Sequence, residues 1–436
     1  MFLQNAIEKR IDDDNPVKVA LIGAGKFGSM FLSQVPSTMG IEVLVIADLI
    51  PDNAVKACKN VGWSDDLINK TKFVDTGADA IKLNEVEVVI EATGFPAAGI
   101  EHARQAFQNG KHIIMVNVEA DVLAGAALAK EANSVGVVYS MAYGDQPALT
   151  AEIVEWARAS GFNVTSAGKG TRYQPIYHKS SPDTVWDYYG LTHEEARKAG
   201  MNPKMFNSFL DGTKSGLEMA AIANACDLEV PTNGLLFPPC GMDDLANILK
   251  PLEFGGLLEK NGQVEVVSSL ERDGRPVFKD LRWGVYAVLE APNDYAASCF
   301  KQYGMNTDDT GKYSAMYKPF HLIGMELNIS VFSAALLNQA TGQTKKFTGD
   351  VVSTTKKNLK KGEILDGEGG ATVWGKLVPS KLSLSMEALP IGLAHGIKLK
   401  NEIKENKIIT WNDVDFSSND PAISYRRKME KDFKKS

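Results

Sequence analysis

The feature that most constrains the fold is an alternation, over residues 17–143, of short apolar runs with segments long enough to form helices. Fully apolar runs of this length that alternate with helices are typical of a parallel sheet buried on both faces. We therefore predict an α/β domain whose parallel strands are joined by right-handed crossovers. The predicted strands are Val17–Ile22, Val43–Ala47, Val86–Glu91, His112–Asn117 and Val135–Met141.

The first predicted strand leads into a glycine motif, Gly23-Ala24-Gly25-Lys26-Phe27-Gly28, which opens a predicted helix. In a dinucleotide site, Gly23 makes the tight turn, Gly25 lets the backbone approach the pyrophosphate, and Gly28 lets helix and strand pack closely. The helix N-terminus then offers N–H groups to the phosphates. The motif in this context predicts a Rossmann-type doubly wound sheet that binds NAD(P) at Gly23–Gly28, with Lys26 and Phe27 included. The alternative is a glycine-rich turn in another α/β fold.

A carboxylate follows at the spacing expected for a ribose ligand. Asp48 ends the next predicted strand, 20 residues after Gly28, and Lys56 is the nearest cation after it. A carboxylate here accepts hydrogen bonds from the ribose hydroxyls and repels a 2′-phosphate. The sequence therefore favours NAD(H) as cofactor, with NADP(H) as the alternative.

Polar residues also follow the next two predicted strands. Thr93 and Gly94 come after Glu91, and Asn117 closes the strand that begins at His112. Loops at the carboxyl ends of parallel strands contact the ligand in such sheets, so we expect Thr93, Gly94 and Asn117 to contact the cofactor. The alternatives are an ordinary turn at Thr93-Gly94 and a helix cap at Asn117.

Changes in pattern along the chain divide it into four parts. Residues 1–144 hold the predicted dinucleotide domain, and residues 145–344 read as an α+β substrate or catalytic domain. Residues 345–415, rich in Lys and Gly, read as a small β-rich module. Residues 416–436 read as a solvated basic tail, since six basic residues lie between Arg426 and Ser436.

Several segments in this order resemble one known family, the oxidoreductases similar to 1-deoxy-D-xylulose 5-phosphate reductoisomerase (DRL). The resemblance rests on the glycine motif, Glu91-Ala92-Thr93-Gly94, Asp211-Gly212-Thr213-Lys214, and C-terminal stretches at 358–365, 389–394 and 406–410. It implies a homoserine-dehydrogenase-type NAD(P) domain, a DRL-like catalytic domain and a C-terminal SAF-like module. It further implies an oxidoreductase, with reductive isomerisation of a deoxypentulose phosphate as the family's known activity.

The first group of candidate catalytic residues lies in a segment that begins Gly168-Lys169-Gly170. Flexible glycines can bring Lys169 close to a ligand, where it would polarise a carbonyl or bind an anion. Arg172 would hold an acidic substrate, and His178 would exchange protons or bind substrate near neutral pH. The alternative is a surface loop with solvated Lys and Arg.

The second group surrounds the start of a helix predicted at Ser215–Ala225. Asp211 is a candidate substrate ligand, and Lys214 and Glu218 are four residues apart on one helical face. A lysine beside a carboxylate can act as an acid–base pair. Ser215 and Glu218 also have the spacing of a capping box, so Glu218 has a purely structural alternative.

A third group lies in a largely apolar segment further along the chain. Lys318 is a candidate substrate ligand and His321 a candidate catalytic residue. Polar groups in such a segment either form a site or are satisfied structural groups. For His321 a buried structural role is the alternative.

Together these features predict an NAD(P)-dependent oxidoreductase acting on CH–OH groups. The predicted substrate is a small hydroxy or keto anion, held by Lys169, Arg172 and Lys214. The alternatives are a dehydrogenase of a polyol, sugar acid or homoserine-like substrate, or a non-catalytic protein that senses nucleotides or binds carbohydrate. A net charge of −7 argues against nucleic acid as a partner, and the apolar runs are too short for membrane helices. We expect no metal, a cytoplasmic location and a homo-oligomer.

Overall fold

The computed structural model describes residues 3–434, and no helix among them is both long and apolar enough to cross a membrane. The helices are α1 Gln4–Asp12, α2 Lys26–Gln34, α3 Pro51–Asn60, α4 Asp65–Lys70, α5 Gly77–Ile81, α6 Pro96–Gln108, α7 Val118–Ser134, α8 Gln146–Ala159, α9 Val185–Tyr189, α10 His193–Lys198, α11 Pro203–Leu210, α12 Thr213–Cys226, α13 Leu245–Ile248, α14 Asp294–Gln302, α15 Asn328–Leu337, α16 Ser380–Met386 and α17 Pro421–Lys434. The strands are β1 Val17–Ile22, β2 Ile41–Ala47, β3 Lys72–Val74, β4 Val88–Glu91, β5 His112–Met115, β6 Tyr139–Met141, β7 Asn163–Thr171, β8 Gln263–Ser268, β9 Val285–Glu290, β10 Tyr313–Lys318, β11 Gly349–Thr355, β12 Ile364–Asp366, β13 Val373–Pro379, β14 His395–Leu399 and β15 Val414–Asp415.

The chain divides into two compact units, each built from two stretches of sequence. Within the described residues, unit 1 comprises residues 3–152 and 321–345, and unit 2 comprises residues 153–320 and 346–434. Residues 321–345, which the sequence pattern places in the second domain, therefore pack in unit 1. Residues 346–434 pack in unit 2 with the predicted catalytic segments.

Unit 1 is the predicted α/β domain. Its six strands are all parallel and lie in the order β3-β2-β1-β4-β5-β6, which is the doubly wound arrangement. The predicted fold class is confirmed. The predicted strand at Val135–Met141 is shorter, because β6 begins only at Tyr139, and the edge strand β3 was not predicted. Its three residues, only partly buried, carry too little apolar pattern to be recognised.

Helix α15 explains why residues 321–345 belong to unit 1. Leu327, Val331 and Phe332 are buried in the same core as Val19 and Ile90 of the parallel sheet. This apolar helix covers sheet surface that would otherwise face water, so a segment far along the chain completes the N-terminal core.

Unit 2 is built around α12, in which every residue except Lys214 is buried. The helix contacts β7 and β8 of a mixed sheet with the order β10-β9-β7-β8, and it also contacts the antiparallel pair β11–β13. Asn224 ties α12 to the start of β11, because its side chain accepts from the Gly349 N–H (2.8 Å) and donates to the Gly349 carbonyl (3.1 Å). A helix covered on opposite sides is expected to be apolar or small-residue-rich all round, as α12 is.

The last helix differs from the predicted solvated tail. In α17, Arg426 is fully buried and pairs with Asp350 of β11 and with Glu430. Met429 and Ile423 are buried on the same helix. The basic residues of the segment alternate with apolar ones at helical spacing, so one face packs while the other carries the exposed charges.

Candidate active site and cofactor-binding loop

The glycine motif has the geometry that dinucleotide binding requires. Gly23 has φ +94°, and a Cβ there would lie 2.8 Å from the Ala92 carbonyl oxygen. A Cβ on Gly28 would lie 2.3 Å from the Gly23 carbonyl oxygen, so this position also excludes a side chain. Gly25 has no atom within 4 Å of its ideal Cβ. No contact within the chain therefore requires glycine at this position. The missing side chain leaves the backbone open to a ligand.

Asp48 lies beside this loop at the end of β2. Its two carboxylate oxygens accept hydrogen bonds from the Ala24 N–H (3.2 Å) and the Ile50 N–H (3.1 Å). The side chain is only partly buried, so its remaining lone pairs face outward. Lys26 is exposed in the first turn of α2, and Phe27 packs against the core of unit 1. These positions fit a nicotinamide dinucleotide held by the loop and by Asp48.

Thr93 and Asn117 are joined in one network at the carboxyl ends of β4 and β5. The Thr93 hydroxyl donates to Glu91, and the Asn117 amide donates to the Phe95 carbonyl (3.0 Å). The Asn117 oxygen accepts from the Ala120 N–H (3.1 Å) and caps α7. The capping alternative for Asn117 is therefore confirmed. Since Asn117 is 1% exposed, its place is to fix the Thr93–Phe95 loop, where Gly94 has φ +67° and open space around it.

In unit 2 the structure joins two predicted residues in a way that the sequence did not indicate. The Lys169 ammonium of β7 pairs with the Glu218 carboxylate of α12. Both side chains are almost fully buried, with 8% and 6% of their surface exposed. A buried ion pair is costly to desolvate and is retained where its chemistry is used or where it specifies packing.

The glycines beside Lys169 are rigid, which corrects the predicted flexible loop. Gly168 and Gly170 lie within β7, and a Cβ on either would lie 1.9 Å from a carbonyl oxygen, that of Glu265 or of Leu281. The glycines thus allow neighbouring backbone to pack tightly against β7. The alternative of a solvated surface loop is also wrong for Lys169, which is 6% exposed.

Helix α12 begins earlier than predicted, and this excludes the capping box. Its N-cap is Gly212 with φ +92°, and the first N–H, of Thr213, is bound by the Asp211 carboxylate (2.8 Å). Ser215 and Glu218 consequently lie inside the helix, where Glu218 is free to reach Lys169. Lys214 is half-buried in the first turn.

Asp211 and His178 form a second buried cluster. The Asp211 carboxylate pairs with Lys356 (2.7 Å), and neither side chain is more than 2% exposed. His178 donates from Nδ1 to the Asp211 carbonyl (2.7 Å) and accepts from the Tyr173 hydroxyl at Nε2 (2.9 Å). Burial lowers the pKa of His178. Asp211, predicted as a substrate ligand, is thus committed to Lys356 and the start of α12.

Arg172 follows β7 directly, and its Nε atom is buried with no hydrogen-bond partner in the described chain. Arg282 lies nearby, because the backbone of Gly170 packs against Leu281 and Arg282. The Arg282 guanidinium stacks on Trp283 at 4.5 Å. Burial lowers the pKa of Arg282 and the positive charge of Arg172 lowers it further, whereas Tyr189 and the Asp280 carboxylate raise it. Among residues 3–434, neither guanidinium has a carboxylate at ion-pair distance.

Lys318 and His321 fall in different units. Lys318 ends β10 in unit 2 and lies over the ring of Phe320 at 5.2 Å. His321 is half-buried in unit 1. Three residues after it, Gly324 packs against Phe27 and Met30 of α2, so the segment with His321 runs past the first turn of the dinucleotide-binding helix.

The sequence pattern does not predict several residues of these clusters, above all Lys356 and Arg282. Lys356 is separated from Asp211 by 145 residues, and no local pattern signals that contact. Arg282 carried a weak signal, since Arg282-Trp283 is a cation next to an aromatic ring. No group of three metal-ligating side chains occurs within the described residues.

Residues 144–327 match the family model described as the catalytic domain of the oxidoreductase DRL. The matched range contains β7 with Lys169 and α12 with Glu218. The match supports the predicted oxidoreductase and confirms the catalytic part of the DRL resemblance. The SAF-like module stays a prediction, and among proteins with curated descriptions none matches the sequence.

Three solved structures illustrate the similarities of shape. A homoserine dehydrogenase from Thiobacillus denitrificans has 14% identity and a TM-score of 0.43, over 78% of this chain and 83% of that one. Myo-inositol dehydrogenase from Lactobacillus casei, solved with NAD(H) and myo-inositol, has 14% identity and a TM-score of 0.36, over 63% and 71%. The 3-ketoreductase KijD10 from Actinomadura kijaniata, solved with NADP, has 16% identity and a TM-score of 0.26. That alignment covers 37% of this chain and only 50% of the reductase.

Proposed function

We propose that the protein transfers a hydride between NAD(H) and a small anionic hydroxy or keto substrate, with Lys169 as the proton donor and acceptor. The observation that carries the proposal is the buried Lys169–Glu218 pair within the matched oxidoreductase domain. The dinucleotide loop of unit 1 supplies the second requirement, a place for the cofactor.

The cofactor would be held by the backbone at Gly23–Gly28 and by Asp48. When bound, the nicotinamide supplies or accepts the hydride at the substrate carbon. Asp48 favours NAD(H), because its outward lone pairs can accept from two ribose hydroxyls while its charge repels a 2′-phosphate. The Thr93–Phe95 loop, braced by Asn117, would border the nicotinamide end of the site.

Lys169 fits the proton-transfer role better than the other candidates. In the reductive direction, the substrate carbon gains a hydride and its oxygen gains a proton from the Lys169 ammonium; oxidation reverses both transfers. Glu218 acts as a positioning residue, since its carboxylate fixes the Lys169 side chain in the low-dielectric interior. The strand backbone beside Lys169 is immobilised by the close packing of Gly168 and Gly170, which keeps the ammonium in a defined place.

The anionic group of the substrate would be bound by Arg172 and Arg282. Lys169 contributes no net positive charge, because Glu218 compensates it. The two arginines repel each other and lack carboxylate partners in the described chain, so an anion would relieve a cost that the protein otherwise carries. Arg172 follows Lys169 by three residues, which limits the distance between their Cα atoms to about 10 Å.

The proposal is tested by a substrate screen that follows the absorbance of the reduced nicotinamide with NAD(H) and NADP(H). The panel holds a deoxypentulose phosphate, homoserine, short keto acids and neutral polyols. We expect turnover with an anionic member, inhibition by added sulfate, and a raised KM in Arg172→Met and Arg282→Met variants. A neutral polyol as the best substrate, without sulfate inhibition, would refute the anion site. Cofactor binding without turnover of any member would favour the sensor alternative.

A further inference from the structure

A cavity of about 200 Å³ lies in unit 2 on the side of α12 away from Glu218. Gly212 and Gly216 line it and share one helical face, whereas Glu218 is two residues from Gly216 and points roughly to the opposite face. The cavity therefore lies between α12 and strand β13, and the Lys169–Glu218 pair lies between α12 and β7. The proposed catalytic pair does not use this space.

The cavity is preformed, because the aromatic side chains that form its walls stack in pairs. The ring of His178 stacks on Trp374 with centroids 4.0 Å apart, and Phe237 stacks on Tyr173, also at 4.0 Å. Both ring nitrogens of His178 are already hydrogen-bonded, one to Asp211 and one to Tyr173. Walls fixed in this way keep an opening that a flexible core would close.

Glycines define the remaining walls. A Cβ on Gly212 would lie 3.1 Å from the His178 ring, and a Cβ on Gly216 would lie 3.2 Å from the Gly375 carbonyl oxygen. A Cβ on Gly234 would lie 3.0 Å from the Lys376 side chain. A side chain at any of these positions would meet an opposing wall, so the glycines keep the space between the walls open.

Lys376 gives the cavity a positive charge that nothing in the described chain neutralises. It lines the cavity, is half-buried, and has no carboxylate at ion-pair distance among residues 3–434. The titratable group that faces it is His178, whose pKa is lowered by burial and by the charges of Lys356 and Lys376, although Asp211 acts in the opposite direction. Lys356 itself is paired with Asp211. The lining is thus an unpaired ammonium, a neutral imidazole and the Asn233 amide, which together favour an anion.

We propose that this cavity is a second binding site, which takes a phosphate group with Lys376 as its counter-charge. The cavity is smaller than the ~300–1,000 Å³ of sites for larger ligands, so the ligand is inorganic phosphate or a small phosphate monoester. Lysine binds phosphate as a point charge, which suits a small cavity with a single ammonium. Trp374, Gly375 and Lys376 come from the C-terminal segment, so that segment contributes directly to the site. The proposal does not depend on the hydride-transfer activity.

Titration of the full-length protein with inorganic phosphate, followed by intrinsic tryptophan fluorescence, tests the site. We expect saturable binding that weakens at least tenfold in Lys376→Met and by only a few fold in Lys376→Arg, which keeps the charge. Lys398→Met, a change of an exposed lysine on β14, should bind like the unaltered protein. Thermal melts establish that each variant is folded.

Further measurements distinguish this site from the proposed substrate site and identify the class of anion that it binds. Arg172→Met removes a cation of the proposed substrate site and should leave the Lys376-dependent binding unchanged. Acetate should bind at least tenfold more weakly than phosphate, and glycerol phosphate should bind about as well as phosphate. Phosphate binding that is unaffected by Lys376→Met, no binding by the folded unaltered protein, or acetate binding equal to phosphate would each overturn the proposal.

Discussion

At the scale of single residues, the chemistry depends on carboxylates whose surroundings differ. Asp48 is partly exposed and bound only by backbone N–H groups, so it keeps capacity for a ligand. Asp211 is buried, and its carboxylate forms an ion pair with Lys356. The same residue type is thus available to a ligand in unit 1 and holds the fold together in unit 2.

The position of Asp48 predicts the choice of cofactor. We expect the unaltered protein to bind NADH more tightly than NADPH, and Asp48→Ser to lose about tenfold or more of its NADH affinity, because a charge-assisted hydrogen bond contributes ~1.5–3 kcal/mol. The loss for NADPH should be smaller, since the repulsion of the 2′-phosphate disappears too. Calorimetry with both cofactors measures this, with Asp52→Ser in α3 as the matched control. Tighter binding of NADPH by the unaltered protein would contradict it.

At the scale of secondary structure, a buried carboxylate stabilises one wall of the cavity that Phe237 and Lys376 line. Glu265 on β8 accepts hydrogen bonds from the N–H groups of Leu236 and Phe237. Phe237 has φ +51°, a conformation that costs a bulky residue about 1–2 kcal/mol. The carboxylate of Glu265 is therefore one of the contacts that keep this strained segment in place.

Burial of Glu265 predicts a pH dependence of stability. Burial raises the pKa of Glu265 from 4.5 to about 7. A raised pKa means that the folded state binds the proton more tightly than the unfolded state, so stability is full below about pH 4.5 and falls as the pH rises to about 7. Over this pH range Glu265 lowers the free energy of unfolding by about 3 kcal/mol. Urea unfolding across this range should show a flatter profile for Glu265→Gln than for the exposed control Glu253→Gln. If the stability of the two variants depended on pH in the same way, burial of Glu265 would not be the cause of the pH dependence.

The sequence predicts features that depend on residues close together in the chain. It does not predict features that depend on contacts with distant segments. The glycine motif, Asp48 and the capping by Asn117 are set by residues close in sequence, so spacing predicted them. Gly168 and Gly170 read as a flexible loop because their need for close packing arises from Glu265 and Leu281, about 100 residues further on. The local pattern pairs Glu218 with Lys214 or with a helix cap and not with Lys169, because Lys169 lies 49 residues away.

At the scale of the whole molecule, the C-terminal residues are part of the fold of unit 2. Strands β11 and β13 cover α12, and α17 is anchored to β11 through Arg426. Besides Arg426, the Asp350 carboxylate accepts from the Ser383 hydroxyl. The sequence showed a change of composition at about residue 345, but composition carries no information on which surface a module packs against.

Removing the Arg426 charge should destabilise the protein strongly. In Arg426→Leu the buried carboxylates of Asp350 and Glu430 lose their counter-charge, which typically costs about 3–5 kcal/mol. Arg427→Leu is the matched control, because Arg427 is more exposed and pairs only with Glu430 among the ion pairs described here. Denaturant unfolding followed by circular dichroism gives both values. Equal losses in the two variants would show that Arg426 is not an anchor.

The most direct test of the account is a single-turnover measurement of hydride transfer in Lys169→Met, with the substrate identified by the screen. General acid–base catalysis contributes about 10²–10⁴-fold, so we expect a loss of at least about a hundredfold in rate with unchanged NADH affinity. Lys250→Met is the control, since Lys250 forms a similarly buried pair with Asp308 in the same unit; its rate should stay within a few fold of the unaltered protein. An unchanged rate in Lys169→Met, or an equal loss in Lys250→Met, would contradict the assignment of Lys169 as the proton donor.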